Sequence, residues 1–120
     1  MNEIAATVAV LIVSYNTRER TVACVSSVRA HPPAPGTEIV VVDNDSGDGS
    51  AEALEHAFPG ITVVRSGGNL GFARAVNVGA AATTAEYLLL LNPDTVVRPG
   101  ALAALLGFAR AHPEHGVYGG

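Results

Sequence analysis

The sequence predicts an α/β protein with a mostly parallel, Rossmann-like sheet and helices on both faces. Three observations predict it: four apolar runs have the length of strands, helical patterns separate them, and polar segments, two of them glycine-rich, follow them. Such alternation implies right-handed crossovers between parallel strands. A chain of 120 residues, of which 48% are hydrophobic, can bury one ordinary core. We therefore expect residues 1–120 to form a single unit.

The four apolar runs lack the polar alternation of a half-exposed strand, which indicates strands covered on both faces. The first run extends back to Ile4. Glu3 stands where a signal peptide would be basic, and no small-residue cleavage site follows, so we interpret this run as a buried strand. The predicted strands cover residues 8–13, 39–42, 61–64 and 87–91.

Helical periodicity occupies the segments after the strands. Ser50 or Asp48 is the predicted cap of the second helix, and Pro99 suits the first turn of the last helix. The apolar residues at helical spacing are Val22, Val25 and Val28, then Leu54, Ala57 and Phe58, then Phe72, Ala75, Val76, Gly79 and Ala80, and finally Leu102, Leu105, Leu106 and Ala109.

Charge and cysteine content exclude several classes of function. A net charge of −4 and a pI near 5.4 argue against nucleic acid as a partner, because such binding needs a basic surface. All seven cationic side chains are arginines, so an anionic ligand would need a bound cation, backbone N–H groups or a few placed arginines. The single cysteine, Cys24, excludes an internal disulfide and fits a reducing cytoplasm.

Polar segments follow all four predicted strands, and nothing comparable precedes them. Open parallel sheets bind ligands beyond the carboxyl ends of their strands, where the winding order reverses. We therefore expect a ligand site at this edge. The segments are Ser14-Tyr15-Asn16, Asp43-Asn44-Asp45-Ser46-Gly47-Asp48-Gly49, Ser66-Gly67-Gly68-Asn69-Leu70-Gly71 and Asn92-Pro93-Asp94.

Asp43 and Tyr15 are candidates for contact with a nucleotide base, each with an open structural alternative. An ionised Asp43 can accept from the N3–H of uracil or thymine, a donor that cytosine lacks, or it can close an Asx turn. The ring of Tyr15 can stack on a base or belong to the core. Asp45 and Asp48 are interpreted as turn and cap residues.

Asp94 is the candidate metal ligand. Mg²⁺ or Mn²⁺ needs only one or two protein carboxylates when a diphosphate supplies the other oxygens, although Asp in an Asn-Pro-Asp turn is often purely structural. Arg65 and Arg74 could meet phosphate or lie on the surface. His112 and His115 are interpreted as a solvated helix end rather than a metal pair.

The glycine segment 66–71 permits a close backbone approach to a ligand, but it is not the G-x-G-x-x-G dinucleotide motif. The chain also has no lysine and hence no P-loop. The sequence therefore lacks the motifs that would support a nicotinamide-dependent oxidoreductase or a P-loop nucleotide-binding protein.

Four segments together resemble glycosyltransferase family 2, particularly its rhamnosyltransferase-like members. The resemblance spans nearly the whole chain and depends on the order and spacing of the segments. They are residues 13–16 (VSYN), 41–46 (VVDNDS), 68–79 (GNLGFARAVNVG) and 90–95 (LLNPDT).

The resemblance implies a GT-A fold, truncated here after the metal-binding motif, and an inverting transfer from a nucleoside-diphosphate sugar, with dTDP-rhamnose or a UDP-sugar favoured. The acceptor would be a saccharide or lipid-linked saccharide in polysaccharide biosynthesis. The enzyme would be cytoplasmic, and the full-length protein could be peripheral to the inner face of the membrane. The implied cofactor is Mg²⁺ or Mn²⁺ on Asp94, the last residue of a D-x-D motif whose first position is Asn92. The implied nucleotide-binding residues are Ser14, Tyr15, Asn16, Asp43, Asn69, Gly71, Arg74, Asn77 and Asn92.

Family members extend well beyond this length, so the general base and the acceptor site are expected outside this chain, and Val117-Tyr118-Gly119-Gly120 resembles an ending inside a larger fold. A non-catalytic nucleotide-binding module or an inactive enzyme fragment is the alternative. A nucleotidyltransferase is disfavoured because no glycine-rich loop directly follows the first strand. An unpaired edge strand also makes self-association an expected property.

Overall fold

The computed structural model of the chain describes residues 8–114 and Gly116. Strands and helices alternate along these residues, as the apolar runs predict. The elements are β1 (Val8–Ser14), α1 (Arg18–Ala30), β2 (Glu38–Asp43), α2 (Ser50–Ala57), β3 (Thr62–Arg65), α3 (Phe72–Ala81), β4 (Tyr87–Leu91) and α4 (Ala101–Ala111). The start of the first apolar run, residues 4–7, lies outside the described part, as do His115 and the segment 117–120.

The four strands form one parallel sheet in the order β3-β2-β1-β4. In the register, Leu11 of β1 lies between Val40 of β2 and Leu90 of β4. The chain adds β2 and β3 on one side of β1 and then returns to place β4 on the other side. The winding therefore reverses between β1 and β4, which is where such sheets bind ligands.

Helices cover both faces of the sheet. On one face Val10, Ile12 and Val41 pack with buried residues of α1, α2 and α4, among them Val25, Leu54 and Leu102. On the other face Leu11, Val40 and Val42 pack with Ala75 of α3. Since side chains alternate along a strand, the unbroken apolar sequence of β1 and β2 supplies both cores.

Helix α3 lies unusually close to the sheet because of Gly79. A Cβ at this position would lie 2.3 Å from Cδ1 of Leu11 and 2.8 Å from Cγ2 of Val42. The helix contacts β1 and β2, and on the same face of β4 Leu88 and Leu90 remain about half-exposed.

Three sequence expectations are wrong in detail. The apolar run of β4 predicts burial on both faces, yet Leu88 and Leu90 are 44% and 50% exposed, because α3 does not extend across β4. Phe72 is exposed rather than buried with the rest of its helical face. Pro99 precedes the last helix, which begins at Ala101 after Gly100 with a φ of 80°.

The second helix begins at Ser50, whose N–H donates to Oδ1 of Asp48 over 3.1 Å. The N-cap position itself belongs to Gly49, whose φ is 77°, so neither predicted cap occupies it, although Asp48 accepts from the first N–H of the helix. No helix within the described residues has the length and apolar character needed to cross a membrane.

Candidate functional site

All four polar segments lie at the carboxyl edge of the sheet, because the strands that precede them are parallel. Tyr15 follows β1 and is 47% exposed, and the segment from Asn92 follows β4, so the two flank the point where the winding reverses. A cleft of about 230 Å³ opens beside the segment after β4 and is lined by Leu11, Val13, Phe72, Val76, Leu90, Leu91, Asn92 and Pro93. The exposure of Tyr15 favours the base-stacking alternative over a core tyrosine.

Ser14, a predicted binding residue, is fully buried. Its hydroxyl lies 3.0 Å from that of Thr21 and 3.3 Å from that of Thr17. Its carbonyl oxygen accepts from the N–H of Asn44 over 2.8 Å. In this arrangement Ser14 supports the loop after β1 from below and does not present its hydroxyl to solvent.

Asn16 joins the loop after β1 to the loop after β2. Its backbone N–H donates to Oγ of Ser46 over 2.9 Å, and its Oδ1 accepts from the N–H of Gly47 over 2.8 Å. A second link runs from the N–H of Arg18 to Oδ2 of Asp48 over 3.0 Å. The side-chain hydrogen bond to Ser50 lowers the pKa of Asp48, and the N–H of Arg18 adds to this, so the linking carboxylate stays ionised.

Asp43 ends β2 and is only 5% exposed. Its Oδ2 accepts from the N–H of Ser46 over 3.3 Å. This bond holds the loop after β2, but an Asx turn would accept from the N–H two residues on rather than three. Its Oδ1 is buried and has no hydrogen-bond partner among the described residues. A buried acceptor without a donor costs about 1–3 kcal/mol, which makes this atom the clearest sign of a ligand donor at this edge.

The glycine segment 66–71 is held against the end of β2 by Asn44, which the sequence does not mark as a binding residue. The amide of Asn44 bonds to Asn69 and to the N–H of Leu70. Gly71 has a φ of 79° and directly precedes α3, and this left-handed conformation favours glycine. No local spacing rule pairs positions 44 and 69, and the only sequence signal is the place of Asn44 directly after a buried strand.

Three basic or polar predictions concern this same region. Arg74 and Asn77 are exposed on α3, and the guanidinium of Arg74 forms no ion pair within the described part of the chain. Arg65 instead donates to both carboxylate oxygens of Glu55, over 2.8 and 2.7 Å. The structure therefore supports the surface alternative for Arg65 and leaves Arg74 available to an anion.

The Asn92-Pro93-Asp94 turn follows β4. Oδ1 of Asn92 accepts from the N–H of Asp94 over 3.2 Å, which closes an Asx turn. Helix α1 supports the turn from below: Sγ of Cys24 lies 3.8 Å from the carbonyl oxygen of Asn92, and Oγ of Ser27 accepts from the N–H of Val97 over 2.9 Å. Asp94 itself is exposed, with a carboxylate that makes no hydrogen bond or ion pair to a described residue.

These residues fit a cation that takes most of its oxygens from elsewhere. Among the described residues, no three His, Cys, Asp or Glu side chains gather into a metal site. A hard cation held by one carboxylate and a diphosphate needs no such group. Asp94 can supply that carboxylate, whereas Oδ1 of Asn92 is already engaged in the turn.

The family model for glycosyl transferase family 2 matches residues 9–120, nearly the whole chain. This chain belongs to glycosyltransferase family 2. A relative from Mycobacterium tuberculosis, N-acetylglucosaminyl-diphospho-decaprenol L-rhamnosyltransferase, is 30% identical over 112 residues, which cover 84% of this chain and 35% of that protein. An uncharacterised glycosyltransferase from Haemophilus influenzae is 27% identical over 105 residues, covering 88% of this chain and 35% of its own length.

Solved structures of glycosyltransferases share the fold. The mannosyltransferase PcManGT from Pyrobaculum calidifontis, in complex with GDP-Man and Mn²⁺, superposes with a TM-score of 0.79 at 23% identity over 88% of this chain and 33% of that one. TarS 1–349 from S. aureus, in complex with UDP, gives a TM-score of 0.77 at 22% identity over 89% of this chain and 33% of that one. The predicted GT-A fold is confirmed, and this family 2 chain spans about a third of the length of these relatives.

Proposed function

We propose that this chain forms the donor site of an inverting glycosyltransferase that transfers a sugar from a nucleoside diphosphate to an acceptor hydroxyl. The favoured donors are dTDP-rhamnose and UDP-sugars. Ser14, Tyr15, Asn16, Asp43, Asn69, Gly71, Arg74, Asn77 and Asn92 form or support the nucleotide site, and Asp94 binds Mg²⁺ or Mn²⁺.

The observation that carries the proposal is the unpartnered Oδ1 of Asp43. A uracil or thymine base presents one N3–H, which this oxygen can accept while Oδ2 keeps the N–H of Ser46. The exposed ring of Tyr15, at the end of the neighbouring strand, offers a surface on which the base can stack. Cytosine has an acceptor at N3, so neither its N3 nor Oδ1 of Asp43 would receive a hydrogen bond from the other.

The diphosphate would lie between the base site and Asp94. Arg74 offers a guanidinium that no described carboxylate neutralises, which suits a phosphate oxygen. A cation bound to Asp94 would offset negative charge on the departing diphosphate. This division explains how a chain with a net charge of −4 can bind a dianionic ligand.

Transfer with inversion needs a base that takes the proton of an acceptor hydroxyl as its oxygen attacks the anomeric carbon from the face opposite the diphosphate. We assign no described residue to that task. The rhamnosyltransferase from M. tuberculosis is named for a lipid-linked acceptor, N-acetylglucosaminyl-diphospho-decaprenol. By analogy we propose a saccharide or lipid-linked saccharide as acceptor, polysaccharide biosynthesis as the process, and a cytoplasmic enzyme that works at the inner face of the membrane.

Thermal unfolding with different nucleotides tests the donor site. UDP, dTDP, GDP, CDP and NAD are each added with Mn²⁺, Mg²⁺ or EDTA. A ligand at about 100 times its Kd stabilises the native state by about 2.7 kcal/mol. UDP or dTDP with a divalent cation is expected to raise Tm, and Asp94→Ala is expected to remove the part that depends on the cation. Glu86→Ala removes an exposed carboxylate before β4, at the opposite edge, and serves as the control.

Exchange of one atom tests the role of Asp43. In Asp43→Asn the amide oxygen can retain the N–H of Ser46 while the amide nitrogen replaces Oδ1. The variant is therefore expected to lose its preference for UDP and to gain affinity for CDP, whose N3 accepts a hydrogen bond. Unchanged base preference would contradict the assignment of Asp43. No shift with any nucleotide would contradict the donor site in this chain and favour the inactive-fragment alternative.

A further inference from the structure

Asn44 is a buried polar residue that makes a contact on each side of the strand it follows. It is only 4% exposed and directly follows Asp43, which is also buried. Its side-chain Nδ2 donates to Oδ1 of Asn69 over 3.0 Å, and its Oδ1 accepts from the N–H of Leu70 over 2.9 Å. Its backbone N–H donates to the carbonyl oxygen of Ser14 in β1.

The orientation of this amide is determined by its neighbours. Leu70 offers a backbone N–H, so an oxygen must face it. Oδ1 of Asn69 accepts from the N–H of Gly71 over 3.1 Å, so the Asn44 atom that faces Asn69 must be a donor. The amide of Asn44 meets both requirements, because it carries an acceptor and a donor at once.

Ser66 adds a weaker constraint. Its hydroxyl has three oxygens within reach, on Asp43, Asn44 and Gly68, and one proton to donate. The carbonyl oxygen of Gly68 is the nearest of the three. The Asn44 amide therefore remains the principal side-chain connection between β2 and residues 69–71.

We propose that Asn44 is a positioning residue that holds the glycine segment and the start of α3 in the geometry that the donor site requires. The inference depends on the proposed function, since it assigns a role within that site. Asn44 does not touch the donor, because it is buried and its amide is occupied. It acts through Asn69 and Gly71, which precede the helix that carries Arg74 and Asn77.

Amide hydrogen exchange measured by NMR, together with nucleotide titration, tests this role. In Asn44→Ala the N–H groups of Leu70 and Gly71 are expected to exchange about tenfold faster or more, since one loses its acceptor and the other loses the fixed position of its acceptor. UDP affinity in the presence of Mn²⁺ is expected to fall by a similar factor, while the preference for UDP over CDP stays, because Asp43 is intact.

The conservative variant Asn44→Asp distinguishes the acceptor role of the amide from its donor role. A carboxylate can still accept from Leu70 but cannot donate to Asn69. Leu70 is therefore expected to stay protected while Gly71 exchanges faster. Equal loss of protection at both positions, or at neither, would overturn the proposed orientation.

Val28→Ala is the matched control, because Val28 is fully buried in the core and lies near the end of α1 that is farther along the chain from the loop after β1. It should lower overall stability without a selective change at Leu70 and Gly71 and without loss of UDP affinity. Native affinity or native exchange in Asn44→Ala would overturn the positioning role. If the native chain binds no nucleotide, the proposed function fails and the donor role of Asn44 with it, while the exchange rates still decide whether Asn44 anchors the segment.

Discussion

Asp43 and Asn44 are adjacent and similarly buried, but they differ in whether their side-chain polar atoms have hydrogen-bond partners. Asn44 has its amide donor and acceptor engaged, whereas Asp43 keeps one oxygen without a donor. The sequence predicts Asp43 as a candidate because a carboxylate at the end of a buried strand can accept from the N–H of a ligand. It does not predict the role of Asn44, because the partner at Asn69 is brought near only when β2 and β3 pair.

Cys24 is expected to be unreactive in the native protein. Burial, and secondarily the negative charge of Asp94, raises the pKa of its thiol from 9.0 to about 11. The thiolate is the nucleophile, so iodoacetamide at pH 8 should modify the native chain far more slowly than the urea-unfolded chain. Mass spectrometry of quenched samples measures both rates.

The same shift gives a dependence of stability on pH. Below pH 9 both states hold the proton and the thiol contributes fully. As pH rises towards about 11, the unfolded state loses the proton first, so this contribution falls. The difference in unfolding free energy between the native sequence and Cys24→Ala should therefore shrink over that interval. A constant difference would show that Cys24 does not titrate as its burial requires.

At the level of the elements, unbroken apolar runs predict the four strands and helical periodicity predicts the four helices, and strand boundaries differ by about one residue. The predicted burial on both faces fails for β4, where the run from Leu88 to Leu91 is apolar on both faces but only one face is covered by described residues. Apolar sequence shows that a surface favours burial, and it does not identify the element that covers it. The same limit applies to Phe72, which has helical spacing but lies beyond the area of contact between α3 and the sheet.

Two glycines inside helices should respond to alanine with opposite signs. Gly79→Ala places a methyl group against Leu11 and Val42, so we expect a loss of about 1–3 kcal/mol in unfolding free energy from overpacking. A Cβ on Gly107 in α4 would have no neighbouring atom within 4 Å, so Gly107→Ala should gain up to about 1 kcal/mol from helix propensity.

Urea denaturation of both variants measures these changes. A stabilising Gly79→Ala would mean that α3 can move away from the sheet without cost. In that case the close approach of the helix would not be a requirement of the fold.

At the level of the whole molecule, the reversal of winding brings distant segments to one edge. Parallel alternation predicts that the polar segments share this edge, and the structure confirms it. No local sequence pattern predicts which strands are neighbours in the sheet, because the strand order depends on which apolar faces pack together. The position of the switch point between β1 and β4 is therefore a property of the tertiary structure.

Self-association is expected through β4, which is an edge strand of the described sheet and exposes Leu88 and Leu90. Such an edge is a template for another strand, and exposed leucines favour contact between copies. Sedimentation of the chain at increasing concentration should show a dimer, and Leu90→Glu should weaken it at least about tenfold.

Ala103→Glu introduces the same charge on an exposed position of α4 and is the control. Sedimentation as a monomer throughout would contradict self-association. Equal effects of both substitutions would attribute it to net charge instead of to β4.

The uncovered leucines also have a thermal consequence. Unfolding typically raises the heat capacity by about 12–15 cal/mol/K per residue, largely because apolar surface becomes hydrated. Here the native monomer already hydrates Leu88, Leu90 and Phe72, so unfolding exposes less new apolar area. The curve of unfolding free energy against temperature should accordingly be flatter than that of a typical domain, with weaker loss of stability in the cold.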